Sequence, residues 1–154
     1  TGRACRDVGC STGGFTHCLL RRGASSVLSV DVGYAQFDWA LRQDARVTLM
    51  ERTNIVDVPA AVGASWVDLA VCDVSFTSVT TVLPAVMELL RPHGAFLTLV
   101  KPQFEAARQA VRDAAIERVR LAFEEAGLNV AGVCESPIHG HKGNVEYLLL
   151  GTRG

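Results

Sequence analysis

The chain reads as an α/β domain with a mostly parallel, seven-stranded sheet, helices on both faces and an antiparallel last strand. Three observations predict this. Strand-length apolar runs alternate with segments of helical period from end to end, the pattern of βαβ units. A glycine-rich turn, Asp7–Gly14, joins the first run to the first helical segment. The last two runs are linked by Ser136–Asn144, which has no helix-length apolar pattern. A short link joins antiparallel neighbours, because a parallel return needs a crossover. At 154 residues, 49% hydrophobic and 20% charged, the chain fits one domain with a substantial core.

Residues Arg3–Val8 form the first predicted strand, with Arg6 an awkward core residue. A helix follows over Gly13–Arg22, with Phe15, Cys18 and Leu19 on its apolar face and Gly23 as its stop. Ser26–Asp31 is the second strand, Ala35–Gln43 a helix, Val47–Met50 the third strand and Val67–Asp73 the fourth. Val79–Leu90 is amphipathic and halts before the turn Pro92-His93-Gly94. Ala95–Lys101 is almost wholly apolar, as a strand covered on both faces must be. Ile116, Val119, Arg120, Phe123 and Ala126 give Asp113–Ala126 helical spacing, with Gly127 as cap. Val130–Glu135 and Val145–Gly151 complete the strands.

Several classes are disfavoured. No apolar run approaches the roughly 20 residues of a membrane helix, so a membrane partner is not expected, and no secretory leader is visible. Cys5, Cys10, Cys18, Cys72 and Cys134 are odd in number and lack Cys-x-x-Cys spacing. They read as reduced core residues of a cytoplasmic protein rather than a disulfide framework or a metal site. The formal net charge of −1 gives no general support for a nucleic-acid partner.

Ligands of open α/β sheets sit beyond the carboxyl ends of the strands. Those ends carry Asp7-Val8-Gly9, Asp31-Val32-Gly33, Asn54, Asp73 and Lys101. The first turn, Asp7-Val8-Gly9-Cys10-Ser11-Thr12-Gly13-Gly14, lets backbone approach a ligand and opens a helix whose amides face it. It is not the dinucleotide pattern Gly-x-Gly-x-x-Gly. The carboxylate ahead of its first glycine would repel a pyrophosphate but suits an ammonium, which points to S-adenosylmethionine. Ser11, Thr12, Gly13, Gly14 and Phe15 are the further contacts expected from this turn. Asp31, followed by Val32, is placed to accept from two ribose hydroxyls, and Asn54 to meet the adenine. Loop capping is the competing role for Asp31 and Asn54.

The motifs DVGCSTGGFT (Asp7–Thr16), DVGY (Asp31–Tyr34), LRQD (Leu41–Asp44), MERTN (Met50–Asn54), DVSF (Asp73–Phe76), VKPQFE (Val100–Glu105) and GNVEYL (Gly143–Leu148) span nearly the whole chain in order. Together they resemble the TlyA family, haemolysin-A-type ribosomal RNA 2′-O-methyltransferases related to FtsJ-type enzymes. The resemblance implies a Rossmann-like fold and methyl transfer from S-adenosylmethionine to ribose hydroxyls of ribosomal RNA, cytidine in the best-known members. It also implies a Lys-Asp-Lys-Glu tetrad, of which Asp73, Lys101 and Glu146 match three positions. The first lysine and an S4-like RNA-binding domain belong upstream of residues 1–154, the FtsJ-like methyltransferase domain, and this sequence does not contain them. After Arg108, Gln109-Ala110 leads directly to Val111-Arg112-Asp113 where the family has a glycine- and basic-rich stretch.

On this reading Lys101 is the base that takes the 2′-hydroxyl proton, with Asp73 and Glu146 orienting it. Carboxylates raise its pKa, whereas burial, the sulfonium and a second lysine lower it. Without the upstream lysine, residues 1–154 alone are expected to be weakly active or inactive. Ser75 and Phe76 either line the acceptor cleft or pack the turn. His139, His141 and Lys142 form a small basic loop near the expected RNA entry, where an ordinary solvated loop is the favoured reading, and the arginines at 21, 22, 42, 46, 108 and 112 read as solvated. Two other readings stay open: a methyltransferase for a small-molecule or protein acceptor, and a non-catalytic cofactor- or RNA-binding or cytolysin-like protein.

Overall fold

The computed structural model describes residues 2–9, 13–31, 37–58, 66–73, 76–100, 109–137 and 146–154. The elements run β1 (Ala4–Val8), α1 (Gly14–Arg21), β2 (Ser26–Val30), α2 (Trp39–Arg42), β3 (Val47–Met50), a 3-10 turn (Ile55–Asp57), β4 (Val67–Cys72), α3 (Phe76–Leu89), β5 (Leu90–Val100), α4 (Gln109–Glu125), β6 (Leu128–Glu135) and β7 (Tyr147–Arg153). The sheet order is β3-β2-β1-β4-β5-β7-β6. Pairings from β3 through β5 are parallel, whereas β7 is antiparallel to both β5 and β6. The alternating α/β order and the antiparallel end are as the sequence predicts. Strand order reverses between β1 and β4, which is where ligands of such sheets bind.

Each strand alternates its side chains between two cores. On one face Leu28, Ala70, Phe96 and Leu149 pack with Val86 and Leu89 of α3 and with Val119 and Phe123 of α4. The Phe96 and Phe123 rings stack with centroids 5.1 Å apart. On the other, Cys5 and Val27 meet Leu20 of α1 and Ala24, with Leu41, Val47 and Leu69 against them. Arg6 does lie in the core: it is fully buried, with its guanidinium 5.9 Å from the Trp66 ring. Burial pushes its pKa down to about 10, and its side-chain nitrogens meet no acceptor among the described residues.

Several predicted boundaries move for local reasons. Helix α2 starts at Trp39, not Ala35, because the Asp38 carboxylate caps it by accepting from the amides of Ala40 (2.8 Å) and Leu41 (3.2 Å); Ala35 and Gln36 lie outside the described residues. The sequence Pro92-His93-Gly94 does not separate α3 from β5. It sits in a bulge of β5, where the register jumps from Val67–Leu90 to Leu69–Ala95 and His93 takes φ 67°. Gly94 fits there because a Cβ would come 2.9 Å from the Arg91 carbonyl. Helix α4 begins at Gln109, four residues early, and buries Ala115, Val119 and Phe123. Arg120 faces out, paired with Glu117 (3.2 Å) and Glu124 (3.4 Å). Cysteines 5 and 72 are buried, but Cys18 and Cys134 are exposed, so those two are not core residues; Cys10 lies outside the described residues.

Candidate functional site

Main-chain hydrogen bonds hold the carboxyl ends of four neighbouring strands in line. The Gly9 amide donates to the Val30 carbonyl (2.9 Å), Asp73 to Val8 (3.2 Å), Asp31 to Met50 (3.1 Å) and Thr53 to Asp31 (3.0 Å). With roughly 4.8 Å between adjacent strands, Asp31, Gly9 and Asp73 share one edge. Asn54 joins them, its carbonyl accepting from Asp57 (3.0 Å) to start the 3-10 turn. The sequence-predicted Asp7, Gly9, Asp31, Asn54 and Asp73 are therefore brought together. Ser11, Thr12, Val32 and Lys101, with Ser75 and the loop residues His139, His141 and Lys142, lie outside the described residues.

Asp7 anchors the glycine turn. It is 1% exposed, and its Oδ2 accepts from the Thr16 amide (3.0 Å) and the Thr16 Oγ1 hydroxyl (2.7 Å). Thr16 Oγ1 also shares a hydrogen bond with Ser29 Oγ (2.7 Å). The other carboxylate oxygen, Oδ1, is buried with no partner among the described residues. Desolvation pushes the Asp7 pKa up to about 6, against the lowering effect of the Thr16 hydrogen bonds and with a further raising contribution from Asp73 and Asp31. An acid poised there is still largely ionised at neutral pH.

This anchor decides which way α1 faces. Thr16 and Leu20 are its buried residues, Phe15 is half-buried and Cys18 exposed, so the expected Phe15–Cys18–Leu19 face is rotated. Sequence reasoning missed Thr16 and Ser29. Their only signal is a hydroxyl residue within an apolar stretch on each of two neighbouring elements. Gly13 precedes α1 with φ 104°, a conformation that favours glycine. A Cβ there would also come 2.5 Å from Leu41 Cδ1 and 3.0 Å from Phe37 Cε1. At Gly14 a Cβ would meet nothing within 4 Å, so the backbone at the start of α1 is open to an incoming group.

Two of the three expected catalytic positions, Asp73 and Glu146, lie on either side of the end of β5. Asp73 follows β4 and is half-buried. Glu146, also half-buried, precedes Tyr147, which pairs with Val100, and its carbonyl accepts from the Ser136 amide (2.8 Å). The antiparallel course of β7 thus brings a residue 73 positions from Asp73 to the same edge. Because β5 lies between β4 and β7, the two carboxylate residues flank the end of β5, about 10 Å apart by strand spacing. Lys101 is the next residue after Val100 in sequence.

The chain is similar in sequence and fold to known proteins. The model of the FtsJ-like methyltransferase family matches residues 1–153. The chain is 44% identical over 160 residues to the 16S/23S rRNA (cytidine-2′-O)-methyltransferase TlyA of Mycobacterium tuberculosis, an alignment covering 96% of this chain and 59% of that protein. It is 34% identical to the 23S rRNA (cytidine-2′-O)-methyltransferase TlyA of Campylobacter jejuni, covering 93% and 59%. A solved structure described as a hemolysin from Lactococcus lactis superposes with a TM-score of 0.90 at 38% identity, covering 100% of this chain and 79% of that one. The chain spans less than two thirds of the length of the two TlyA relatives. The family model covers nearly the whole chain, and the chain belongs to the FtsJ-like methyltransferase family.

Proposed function

We propose that the chain binds S-adenosylmethionine along the carboxyl edge of β1, β2 and β3 and methylates ribose 2′-hydroxyls of ribosomal RNA, cytidine among them, in the cytoplasm. One observation carries the cofactor reading: a buried carboxylate oxygen, Asp7 Oδ1 near the end of β1 before the glycine-rich segment, has no partner among the described residues. Such an acceptor is costly to bury unsatisfied, and an ammonium donor satisfies it. Asp31, one strand over, accepts from a ribose diol, and Asn54, one strand further, meets the adenine edge. Gly9, Ser11, Thr12, Gly13, Gly14, Phe15 and Val32 complete the cradle with backbone and turn contacts, and Asp73 closes it on the side of the acceptor. S-adenosylmethionine supplies an electrophilic methyl on a sulfonium.

The acceptor reading rests on Asp73 and Glu146 flanking the end of β5 and on the names of the relatives. A ribose hydroxyl is a weak nucleophile, so positioning and a base carry most of the rate. Lys101 takes the hydroxyl proton onto its neutral amine as attack proceeds, and Asp73 and Glu146 orient that amine and stabilise the ammonium that forms. No described helix is long and apolar enough to cross a membrane. The test is methylation of purified ribosomal subunits with labelled S-adenosylmethionine. It uses the chain alone and the chain fused to the N-terminal segment of the Mycobacterium relative, the segment in which the family resemblance places an S4-like domain and the first lysine. Fusion is expected to raise incorporation, and Lys101→Ala to abolish it while leaving cofactor affinity within about threefold, well under the tenfold of 1.4 kcal/mol. Full incorporation by Lys101→Ala refutes the role of Lys101.

A further inference from the structure

We propose that the outer face of α1 is a phosphate-contact surface for the substrate RNA, an inference resting on the RNA reading above. Gly14, His17, Cys18, Arg21 and Arg22 line a depression of about 400 Å³, and all five are exposed. Their spacing puts them on one stripe of the helix. The stripe starts at Gly14, the open end of the cofactor turn, and runs about 12 Å along the helix, so it leads away from the reacting edge.

Its charge is left unneutralised, unlike that of Arg42, Arg46, Arg91 and Arg120. Arg46 pairs with Asp44 (2.7 Å), Arg91 with Asp68 (3.2 Å), Arg120 with Glu117 and Glu124, and Arg42 with Glu51. Arg153 donates to the Met87 carbonyl (2.9 Å). The side chains of Arg21 and Arg22 meet no carboxylate or carbonyl among the described residues, and residues 14–23 contain no acid. In a chain of net charge −1, this is a local basic track whose donors face solvent. Guanidinium groups bind phosphate bidentately, and phosphate binding sets register on a nucleic acid without reading its sequence. The track orients the strand whose ribose enters at Asp73 and Glu146.

The test is a salt titration of binding to a fluorescein-labelled ribosomal RNA hairpin, with far-UV circular dichroism and S-adenosylmethionine titration as controls of fold and cofactor site. R21E/R22E is expected to weaken RNA binding at least about tenfold at low salt and to lower the salt slope by roughly two, one for each phosphate that is no longer neutralised. R21K/R22K retains most of the affinity, and R120E, a charge reversal on α4, stays within about twofold, far below the effect of removing a phosphate-binding cation. If R21E/R22E fails to fold, R21Q/R22Q is expected to show the same slope change. Equal binding by R21E/R22E and R120E overturns the proposal, as does arginine-dependent capture of polyglutamate without RNA binding, which would mark an acidic protein partner. Failure of the wild-type chain to bind S-adenosylmethionine would count against the methyltransferase reading, and the RNA titration would still decide the role of α1.

Discussion

Replacing Thr16 by valine keeps its shape and removes one hydroxyl on which the cofactor turn depends. Thr16 is fully buried, and that hydroxyl touches both Asp7 Oδ2 and Ser29 Oγ at 2.7 Å. A hydrogen bond to a carboxylate contributes about 1.5–3 kcal/mol and one to a neutral hydroxyl about 1 kcal/mol, so Thr16→Val should cost about 2–4 kcal/mol at pH 8. The loss should depend on pH. The Thr16 bonds hold the Asp7 pKa down against desolvation, so removing one lets it rise above about 6. Each further unit of rise is ~1.4 kcal/mol felt only where Asp7 must ionise. At pH 5, where Asp7 is mostly protonated, the penalty should shrink by that amount. Urea unfolding of wild type, Thr16→Val and Thr16→Ser at both pH values measures this, with the serine variant within about 1 kcal/mol of wild type because it keeps the hydroxyl. A valine variant within about 0.5 kcal/mol of wild type at pH 8, against the ~1 kcal/mol of a single hydrogen bond, or one with the same loss at both pH values, would refute this account of the turn.

Other consequences can be checked the same way. The folded pKa of Asp7, about 6, lies above its ordinary 3.8, so its contribution to stability is complete below pH 3.8 and is lost as pH rises to 6, about 3 kcal/mol in all. Asp7→Asn should flatten that slope in urea unfolding and weaken S-adenosylmethionine at least about tenfold by calorimetry. Gly151→Ala places a Cβ 2.7 Å from Phe123 Cδ2 and 3.2 Å from Leu128 Cβ; it should cost about 1–3 kcal/mol, with Phe123→Leu recovering part of the loss in a double-mutant cycle. Arg6→Leu removes a buried guanidinium and should raise the unfolding free energy by about 1–3 kcal/mol in denaturant titration.

Much of the fold is legible in the sequence because period and punctuation agree with tertiary structure. The turns at Gly23 and Gly127 adopt φ 88° and 98°, as their positions after helical segments imply. The short link after Ser136, without a helix-length apolar pattern in its sequence, predicts the antiparallel pairing that β6 and β7 form. What misleads is polarity used inside the core. Apolar spacing alone assigns α1 the wrong face, because Thr16 is buried by its hydrogen bonds to Asp7 and Ser29 and not by hydrophobicity. Arg6 breaks the strand pattern yet is wholly buried, its guanidinium over the Trp66 ring. In the sequence, Pro92-His93-Gly94 reads as a helix-ending turn ahead of the strand, since nothing local tells that Leu90 already pairs with Val67. In the site, strand-end carboxylates stand out, but the convergence of Asp73 and Glu146 depends on strand order, which is a property of the whole sheet.

The acceptor atom we propose is a ribose 2′-oxygen. Nuclease digestion and mass spectrometry of ribosomal RNA methylated by the fused chain would identify that atom directly. A 2′-O-methylated nucleoside, lost with Lys101→Ala, is the predicted product. A methyl on a base ring or on ribosomal protein would contradict the account.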